Sequence, residues 1–408
     1  MIIPTATGAV EGQEEGLRGL RVLNVWHIGA WNRNYGDWAL AYQMHRLFNE
    51  QARERGWHLN FYLVDGQRTH FHPQLIDQIN EEADLVVLGG GGNIFHRPED
   101  HSQSGWMLNM SLADLDRIRV PIAVYGVGYN RFPYDQTEFP AVTSRHLQRL
   151  QERSRLFSVR DQGTKDTLMT QFGLREQKLE VIPDPGICLY DRPIALPGRK
   201  SRAPVIAINW AGDRPHHRFP EPHEANMRHF FQTIKGALRR CVEELGAQIM
   251  FLPHLIRVDS DIYPEFADGF PAGSIFSTHE AVPFLYPPPG ELLYPHVPFF
   301  TNLFRQADLV LGMRFHTCAL AFGAHRKFIP LGAHQKVRVF AEEAWLPAAY
   351  HLRMLEPGSH AVEQTFRTLR ACLDDVECGE QLKRSHAAQV KALRAFNERV
   401  LDLAPEKD

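Results

Sequence analysis

The feature that most constrains the fold is an alternation of short apolar segments with glycine-containing turns and helical segments. In the first half of the chain this alternation predicts six strands, at 21–26, 58–64, 84–88, 121–125, 155–159 and 179–182. Segments such as LVVL and IAVY are apolar throughout, as expected for parallel strands with helices on both faces. Between the first two strands, apolar residues recur at helical spacing from Leu40 to Phe48. The pattern predicts a doubly wound α/β domain.

The alternation restarts in the second half, with strands expected at 205–210, 248–252, 308–311 and 327–331 and helices at 223–245 and 315–323. A segment with three prolines and a basic cluster, 190–204, interrupts the rhythm as a linker would. Nine of the chain's 27 prolines lie within 253–298, which predicts an ordered but irregular excursion on the second domain. The tail at 379–403 is strongly helical.

These segments predict an N-terminal Rossmann-like domain at 1–195, a C-terminal one at 196–378, and a C-terminal helix at 379–408 that packs back on the first domain. Two doubly wound domains that face a cleft form the glycosyltransferase-B type of α/β architecture. We expect the acceptor on the N-terminal side of this cleft and the donor on the C-terminal side. The architecture alone does not name a reaction.

Composition excludes several classes of protein. The 408 residues include 45 Lys and Arg against 48 Asp and Glu, so no bulk positive field would hold a nucleic acid. The five cysteines are scattered without a CxxC pair, which argues against a disulfide framework and favours the cytoplasm. The first twenty residues do not resemble a signal peptide, and no apolar run is long enough to span a membrane. We therefore expect at most peripheral membrane association, through the substrate.

Polar residues follow the strands of the first domain where a cleft is expected. Asn34 and Asp37 lie in a loop that opens a helix, where Asp37 could handle protons or one of the two could simply cap the helix. The run Gly89–Gly92 ends a buried strand, which suits close approach of a ligand or a hinge, and Gly126 and Gly128 end the next strand similarly. Asp184 lies in a rigid turn, where a carboxylate that bonds its own backbone is favoured.

The densest group of candidate site residues lies on the second domain. Arg314 and His316 occupy a strand-to-helix turn, and Lys336 follows the next strand. Arg160 ends a strand of the first domain and is expected to face the cleft. Because carboxyl ends of parallel strands share one edge of a sheet, these cations and the imidazole suit a small, highly charged anion.

No metal site is expected from the 21 histidines. The tight pairs are His70 with His72 and His216 with His217, and neither has a carboxylate or cysteine companion at ligand spacing. Three tryptophans, Trp31, Trp106 and Trp210, lie near strand ends. They could stack on a sugar or simply pack at the rim.

Six blocks in order, NxGDxAL from Asn34, DLVVLGGGG from Asp84, VYGVG, SVRD, IPDP, and LGMRFH with downstream Lys336, resemble the polysaccharide pyruvyl transferase family. The resemblance covers roughly residues 21–340. It implies a glycosyltransferase-B-like fold and transfer of the pyruvyl group of phosphoenolpyruvate to two hydroxyls of a sugar, forming a cyclic ketal. Two departures stand out: Phe315 replaces the usual Leu, and Asn209 and Trp210 stand where an Arg is common, with Arg214 a little later.

The resemblance and the residues together give a set of expected roles. Phosphoenolpyruvate is a co-substrate of nearly three negative charges, and no cofactor is expected. We expect Arg160, Arg314, Lys336 and the backbone at Gly90 and Gly91 to bind it. We expect His316 to act as general acid or to neutralise the leaving phosphate, and Asp37 to act as base on the acceptor.

The acceptor is expected to be a sugar or a lipid-linked glycan, in contact with Asn34 and with Trp31, Trp106 and Trp210. Two other functions stay open from the sequence. One is a nucleotide-sugar glycosyltransferase on the same fold, although no clear acidic pair follows His316 to bind a ribose; Glu342 and Glu343 are the nearest acids. The other is a non-catalytic glycan-binding protein.

Overall fold

A computed structural model describes residues 2–5, 19–31, 34–189, 203–287, 293–332, 334–354 and 359–405. Its strands are β1 (Ile2–Thr5), β2 (Arg21–Gly29), β3 (Trp57–Asp65), β4 (Leu85–Ile94), β5 (Ile122–Tyr129), β6 (Leu156–Val159), β7 (Glu180–Val181), β8 (Val205–Asn209), β9 (Gln248–Phe251), β10 (Ile275–Ser277), β11 (Leu309–Gly312) and β12 (Lys327–Pro330). Most of the linker predicted at 190–204 lies outside the described residues.

The helices are α1 (Tyr35–Glu54), α2 (Pro73–Glu82), α3 (Leu112–Arg117), α4 (Ala141–Arg153), α5 (Gln162–Phe172), α6 (Pro215–Arg218), α7 (His223–Leu245), α8 (Tyr263–Ala267), α9 (Thr278–Ala281), α10 (Val297–Gln306), α11 (Phe315–Gly323), α12 (Gln335–Glu343), α13 (Ser359–Asp374) and α14 (Val376–Leu401). Within the described ranges, no helix is long and apolar enough to cross a membrane.

The strands form two sheets. The first has the order β1-β3-β2-β4-β5-β6-β7, parallel except for the antiparallel edge strand β1, and the second has the order β10-β9-β8-β11-β12, parallel throughout. In each sheet the strand order reverses beside a central strand, which leaves a crevice at the carboxyl ends. The predicted class, two doubly wound α/β sheets of glycosyltransferase-B type, is confirmed.

The glycine run differs from its prediction, because it lies inside β4 rather than after it. Gly89, Gly90 and Gly91 all have positive φ, and the pairing of β4 with β5 shifts register after Gly91. A Cβ on Gly89 would lie 2.5 Å from Cγ1 of Val127. Glycine is therefore needed here by the neighbouring strand, which approaches too closely for a side chain.

Two segments join the domains. The proline-rich excursion is irregular, as predicted, but it also adds the edge strand β10 and packs against α1 of the first domain. The Tyr35 ring stacks on Phe300 with centroids 4.0 Å apart, and the backbone N–H of Tyr35 donates to the His254 carbonyl at 3.0 Å. Helix α14 crosses back to the first domain, where Asn397 accepts a hydrogen bond from the Tyr125 hydroxyl at 2.6 Å.

Candidate active site

A cavity of about 340 Å³ lies between the two domains, at the carboxyl ends of both sheets. Its walls carry seven cationic side chains against three aspartates, in a chain whose net charge is −3. These are Arg97, Arg131, Arg160, Arg214, Arg218, Arg314 and Lys336, with Asp37, Asp135 and Asp213. A concave site with this excess of positive charge is suited to a small anion.

His316 lines the cavity and lies between two carboxylates of the other domain. Its Nδ1 is 3.8 Å from Oδ1 of Asp37, and its Nε2 is 3.5 Å from Oδ2 of Asp184. Burial opposes ionisation of Asp184, but His316 and then Arg160 outweigh it, so the pKa of this carboxyl lies below its usual range. An imidazole with a carboxylate within ion-pair distance of each nitrogen is a candidate acid–base group.

Gly36 explains how His316 can approach Asp37. A Cβ at Gly36 would lie 2.3 Å from Nδ1 of His316, well inside contact distance. Asn34 caps α1 by accepting the Gly36 N–H at 3.0 Å, so the capping alternative holds for Asn34, while Asp37 occupies the first turn and lines the cavity. The glycine of the NxGD block is therefore required by a side chain from the other domain.

Arg160 is almost wholly buried, and its guanidinium lies on the Phe315 ring, 4.1 Å from the centroid. Its Nε lies 3.4 Å from Asp161, and one terminal nitrogen has no hydrogen-bond partner among the described residues. Gly128 makes room for it, because a Cβ there would lie 2.4 Å from Nε. Phe315 thus holds the arginine through a cation–π contact.

Arg314 lines the cavity but is not the free cation that the sequence predicts. Its Nε donates to Oδ2 of Asp259 at 2.9 Å, and a terminal nitrogen donates to Asp213 at 2.7 Å. Despite burial, Arg314 and Arg218 lower the pKa of Asp213 to about 2. The charge of Arg314 is therefore matched within the protein, and we assign it to holding the β8 and β11 ends together.

Lys336 lines the cavity close to Arg160 and Arg218. Its Nζ donates to Oδ1 of Asn130 at 2.5 Å. Burial, with Arg160 and Arg218 nearby, holds its pKa well below the usual range. Burial, partly offset by Asp213 but reinforced by Arg314, lowers the pKa of Arg218 to about 10. A bound anion would offset the repulsion between these positive charges.

Two helices also direct their N-termini at the cavity. The N-cap residues of α11 and α12 are Arg314 and His334, and neither caps its helix with its side chain. Exposed N–H groups and the helix dipole both favour an anion at such a place. Within the described residues, no group of three His, Cys, Asp or Glu is placed to hold a metal ion.

Comparison with known proteins gives the family. A sequence model of the polysaccharide pyruvyl transferases matches residues 33–335. The chain belongs to this family. The match includes Asp37, Arg160, Asp184 and His316 and ends one residue before Lys336.

Solved structures show the same fold at low sequence identity. A putative UDP-N-acetylglucosamine 2-epimerase of Listeria monocytogenes is 13% identical over 92% of this chain and 97% of its own, with a TM-score of 0.53. MnaA of S. aureus, solved with UDP, is 14% identical over 95% and 99%, with a TM-score of 0.52. A glycosyltransferase of Rickettsia africae is 10% identical over 94% and 99%, with a TM-score of 0.50. No curated protein matched the chain.

The predicted stacking platforms are wrong. Trp31, Trp106 and Trp210 are 8%, 1% and 1% exposed, and none of them lines the cavity. The Trp106 indole donates to His146 at 3.1 Å, and Trp210 packs between Phe230 and Phe231. The packing alternative therefore holds for these tryptophans, whose large apolar rings are held in the core.

The residues of the glycine run that line the cavity lie slightly later in the sequence than predicted. A Cβ on Gly90 would meet Leu40 at 2.5 Å, and one on Gly91 would lie 3.6 Å from the Asp37 carboxylate. Gly92 and Asn93, rather than Gly90 and Gly91, line the cavity. The predicted donor contact at Gly90 and Gly91 is therefore not supported, because these glycines accommodate α1.

Several site residues were missed from the sequence. Asp184 does bond its own turn, since Oδ1 accepts the Gly186 N–H at 2.8 Å, but its other oxygen faces His316. Asp259 is fully buried and accepts from Arg314 and Asn209. Arg218 and His334 line the cavity as well. Arg218 follows a strand end within the GDRPHHR stretch, a polar signal that could have identified it.

Proposed function

We propose that the cavity binds phosphoenolpyruvate and that the protein transfers its pyruvyl group to two hydroxyls of a sugar, forming a cyclic ketal and releasing phosphate. Family membership supports the reaction class. The observation that carries the proposal is the set of buried basic groups around His316. The pKa values of Lys336 and Arg218 are lowered there, and a bound anion would stabilise their charged forms. Phosphoenolpyruvate supplies a carboxylate and a phosphate, which match a cavity with surplus cations.

We assign donor binding to Arg160 and Lys336. The planar guanidinium of Arg160, fixed by Phe315, suits bidentate contact with a carboxylate or phosphate, whereas Lys336 acts as a point charge. The uncapped N-termini of α11 and α12 add N–H donors. Arg314, with its charge matched by two aspartates, supports the site without serving as the main anion ligand.

In the first half of the reaction, Asp37 accepts the proton of one sugar hydroxyl while the oxygen of that hydroxyl attacks C2 of phosphoenolpyruvate. His316 donates a proton to C3, which turns the methylene into a methyl group and leaves a phosphorylated ketal carbon. Asp37 can then return its proton to Nδ1 of His316 across the 3.8 Å that separates them. Such acid and base roles are typically worth about 10² to 10⁴ in rate.

In the second half, the bond from C2 to the phosphate oxygen breaks, and Lys336 and Arg160 offset the charge that develops on the leaving group. The resulting cationic carbon is attacked by the second hydroxyl. The proton of that hydroxyl leaves with the phosphate. The balance is one phosphoenolpyruvate and one diol to one ketal and one hydrogen phosphate.

The direct test is incubation of the protein with phosphoenolpyruvate and a panel of sugar acceptors, with detection of released phosphate and of a product heavier by a ketal-linked pyruvyl group. Calorimetry with phosphoenolpyruvate separates binding from turnover. For Lys336→Ala we expect affinity about 10- to 100-fold weaker, from the loss of one charge-assisted contact. For His316→Ala we expect turnover at least about 100-fold lower with binding kept within a few-fold.

Lys383→Ala, on the exposed face of α14, is the matched control and should change neither quantity. Wild-type binding and turnover in both site variants would remove the proposed site. Turnover with a nucleotide sugar but not with phosphoenolpyruvate would assign the protein to the other expected class. Of the two acids considered for a ribose, Glu343 already accepts the backbone N–H of Gln162 at 3.0 Å.

We also propose the cytoplasm as the compartment, because the five cysteines are all buried free thiols, which suits a reducing environment.

A further inference from the structure

The cleft continues beyond the cavity around His316. A second cavity of about 170 Å³ shares the walls formed by Phe132, Arg218, Met313 and His334 with the first one. Its other walls are mainly apolar and aromatic, and include Tyr134, Phe219 and Met354. The second cavity therefore adjoins the candidate active site and has a different chemical character.

His334 lies in the wall between the two chambers. It is 8% exposed, and neither ring nitrogen has a hydrogen-bond partner among the described residues. Burial, with Lys336, Arg218 and Arg160 nearby, holds its pKa well below the usual range, so the ring is neutral at pH 7. A neutral imidazole offers one donor and one acceptor, which is the pair that a sugar hydroxyl uses.

A third cavity of about 240 Å³ follows the second, with Gly332 and Arg353 in the walls of both. It is lined further by Arg338 and His351, so its polar groups are basic. Nε2 of His351 is buried and has no hydrogen-bond partner in the described part of the chain. Glu342 lies 3.4 Å from Arg338, but exposed i,i+4 ion pairs are weak and would yield to a ligand.

We propose that these two chambers bind the acceptor, and that the acceptor is a glycosyl phosphate or diphosphate. The proposal rests on the function proposed above. The reacting sugar lies beside His334 and the aromatic side chains of the second chamber, with its hydroxyls toward His316. The phosphate group of the same molecule lies in the third chamber, on Arg338, Arg353 and His351.

The difference between the side chains that line the two chambers supports this assignment. A sugar has apolar faces that pack on aromatic rings and hydroxyls that need neutral partners, which the second chamber supplies. A phosphate needs arginines, whose planar groups bind its oxygens in pairs, and the small third chamber has two of them, Arg338 and Arg353, beside His351. A neutral glycan carries no negative charge that would pair with the basic side chains of the third chamber.

The first experiment uses inorganic pyrophosphate as the probe, titrated by calorimetry into the protein saturated with phosphoenolpyruvate. We expect binding to the wild type and at least about 10-fold weaker binding to Arg353→Ala, with unchanged affinity for phosphoenolpyruvate. Arg370→Ala, an exposed arginine on α13, is the matched control and should behave as wild type. Pyrophosphate that binds equally to Arg353→Ala, or that does not bind the saturated protein, would overturn the proposal.

The second experiment compares three acceptors that share one sugar: the free sugar, its nucleotide diphosphate and its short-chain polyprenyl diphosphate. We expect KM to be lower for the two phosphorylated forms in the wild type, and this advantage to disappear in Arg353→Ala while kcat is retained. The better of the two forms identifies the source of the phosphate. Equal KM for all three forms would overturn the proposal.

The two proposals fail in different ways. If the wild type does not bind phosphoenolpyruvate, the proposed donor is wrong, and the pyrophosphate titration without phosphoenolpyruvate still tests Arg353. If phosphoenolpyruvate binds and reacts but Arg353→Ala leaves pyrophosphate affinity and KM unchanged, the acceptor proposal alone is wrong.

Discussion

At the scale of single residues, glycines in or next to three motif blocks make room for side chains of the site rather than for a ligand. A Cβ at Gly36 would collide with His316, one at Gly128 with Arg160, and one at Gly186 would lie 2.8 Å from the Asp184 carboxylate. Each glycine is thus explained by a specific functional neighbour. The motif blocks and the geometry of the site are therefore linked by close packing.

Gly36→Ala tests this link. Within a helix the exchange would usually stabilise by about 1 kcal/mol, so the variant should fold. The added Cβ, 2.3 Å from the position of Nδ1, should displace His316 and lower kcat about 100-fold, since misplacement by about 1 Å can cost that much. Phosphoenolpyruvate affinity, measured by calorimetry, should change little.

Gly379→Ala in α14 is the control, because a Cβ there has nothing within 4 Å. It should keep wild-type activity and at least wild-type stability. A fully active Gly36→Ala enzyme would show that the contact between Gly36 and His316 does not set the catalytic geometry.

At the scale of elements, most strands and the main helices follow from apolar periodicity, since burial on two faces or on one stripe leaves a local signature. The predicted helix at 223–245 is observed as His223–Leu245, and that at 315–323 as Phe315–Gly323. The continuation of β4 through its glycines could not be predicted. A glycine run normally indicates a strand end, and only pairing with β5 keeps this segment in the sheet.

Alanine substitutions separate backbone strain from steric conflict in β4. Gly246 ends α7 at φ +64° with open space around its Cβ position, so Gly246→Ala should destabilise by about 1–2 kcal/mol from the left-handed backbone alone. Gly89→Ala adds conflict with Val127 and the Tyr125 carbonyl, which should cost about 1–3 kcal/mol more. Urea unfolding measures both, and equal losses would show that β4 can relax away from β5.

At the scale of the whole molecule, the two domains meet through α1, the excursion, α12 and α14. Glu343, the last residue of α12, joins them by accepting the Gln162 N–H of α5 and, through its carbonyl, the Gln389 side chain of α14. Burial, reinforced by Asp161, raises the pKa of Glu343 to about 7. The domain contact therefore contains a carboxyl that favours its neutral form.

This makes the stability of the domain contact depend on pH. Because the pKa is raised on folding, the stabilisation is complete below about 4.5, where the acid is neutral in both states, and is lost as the pH rises through 7. Glu343→Gln keeps a neutral acceptor for Gln162. We expect the variant to match the wild-type Tm at pH 4 and to exceed it at pH 8.

Glu138→Gln, at an exposed position outside the helices and strands, is the control and should leave Tm unchanged at both pH values. A Glu343→Gln variant without a pH-dependent gain in Tm would mean that Glu343 is not held as a neutral acceptor.

The sequence by itself determined what local order can encode: two doubly wound domains, the motif blocks at strand ends, and the presence of Arg160, His316 and Lys336 at one cleft. Only the tertiary structure decided which groups are paired. Arg314 meets Asp259 across 55 positions of sequence, and the three tryptophans enter the core. Periodicity reflects the burial of a residue's own element, whereas pairing depends on contacts between distant segments, which leave no signature in either segment alone.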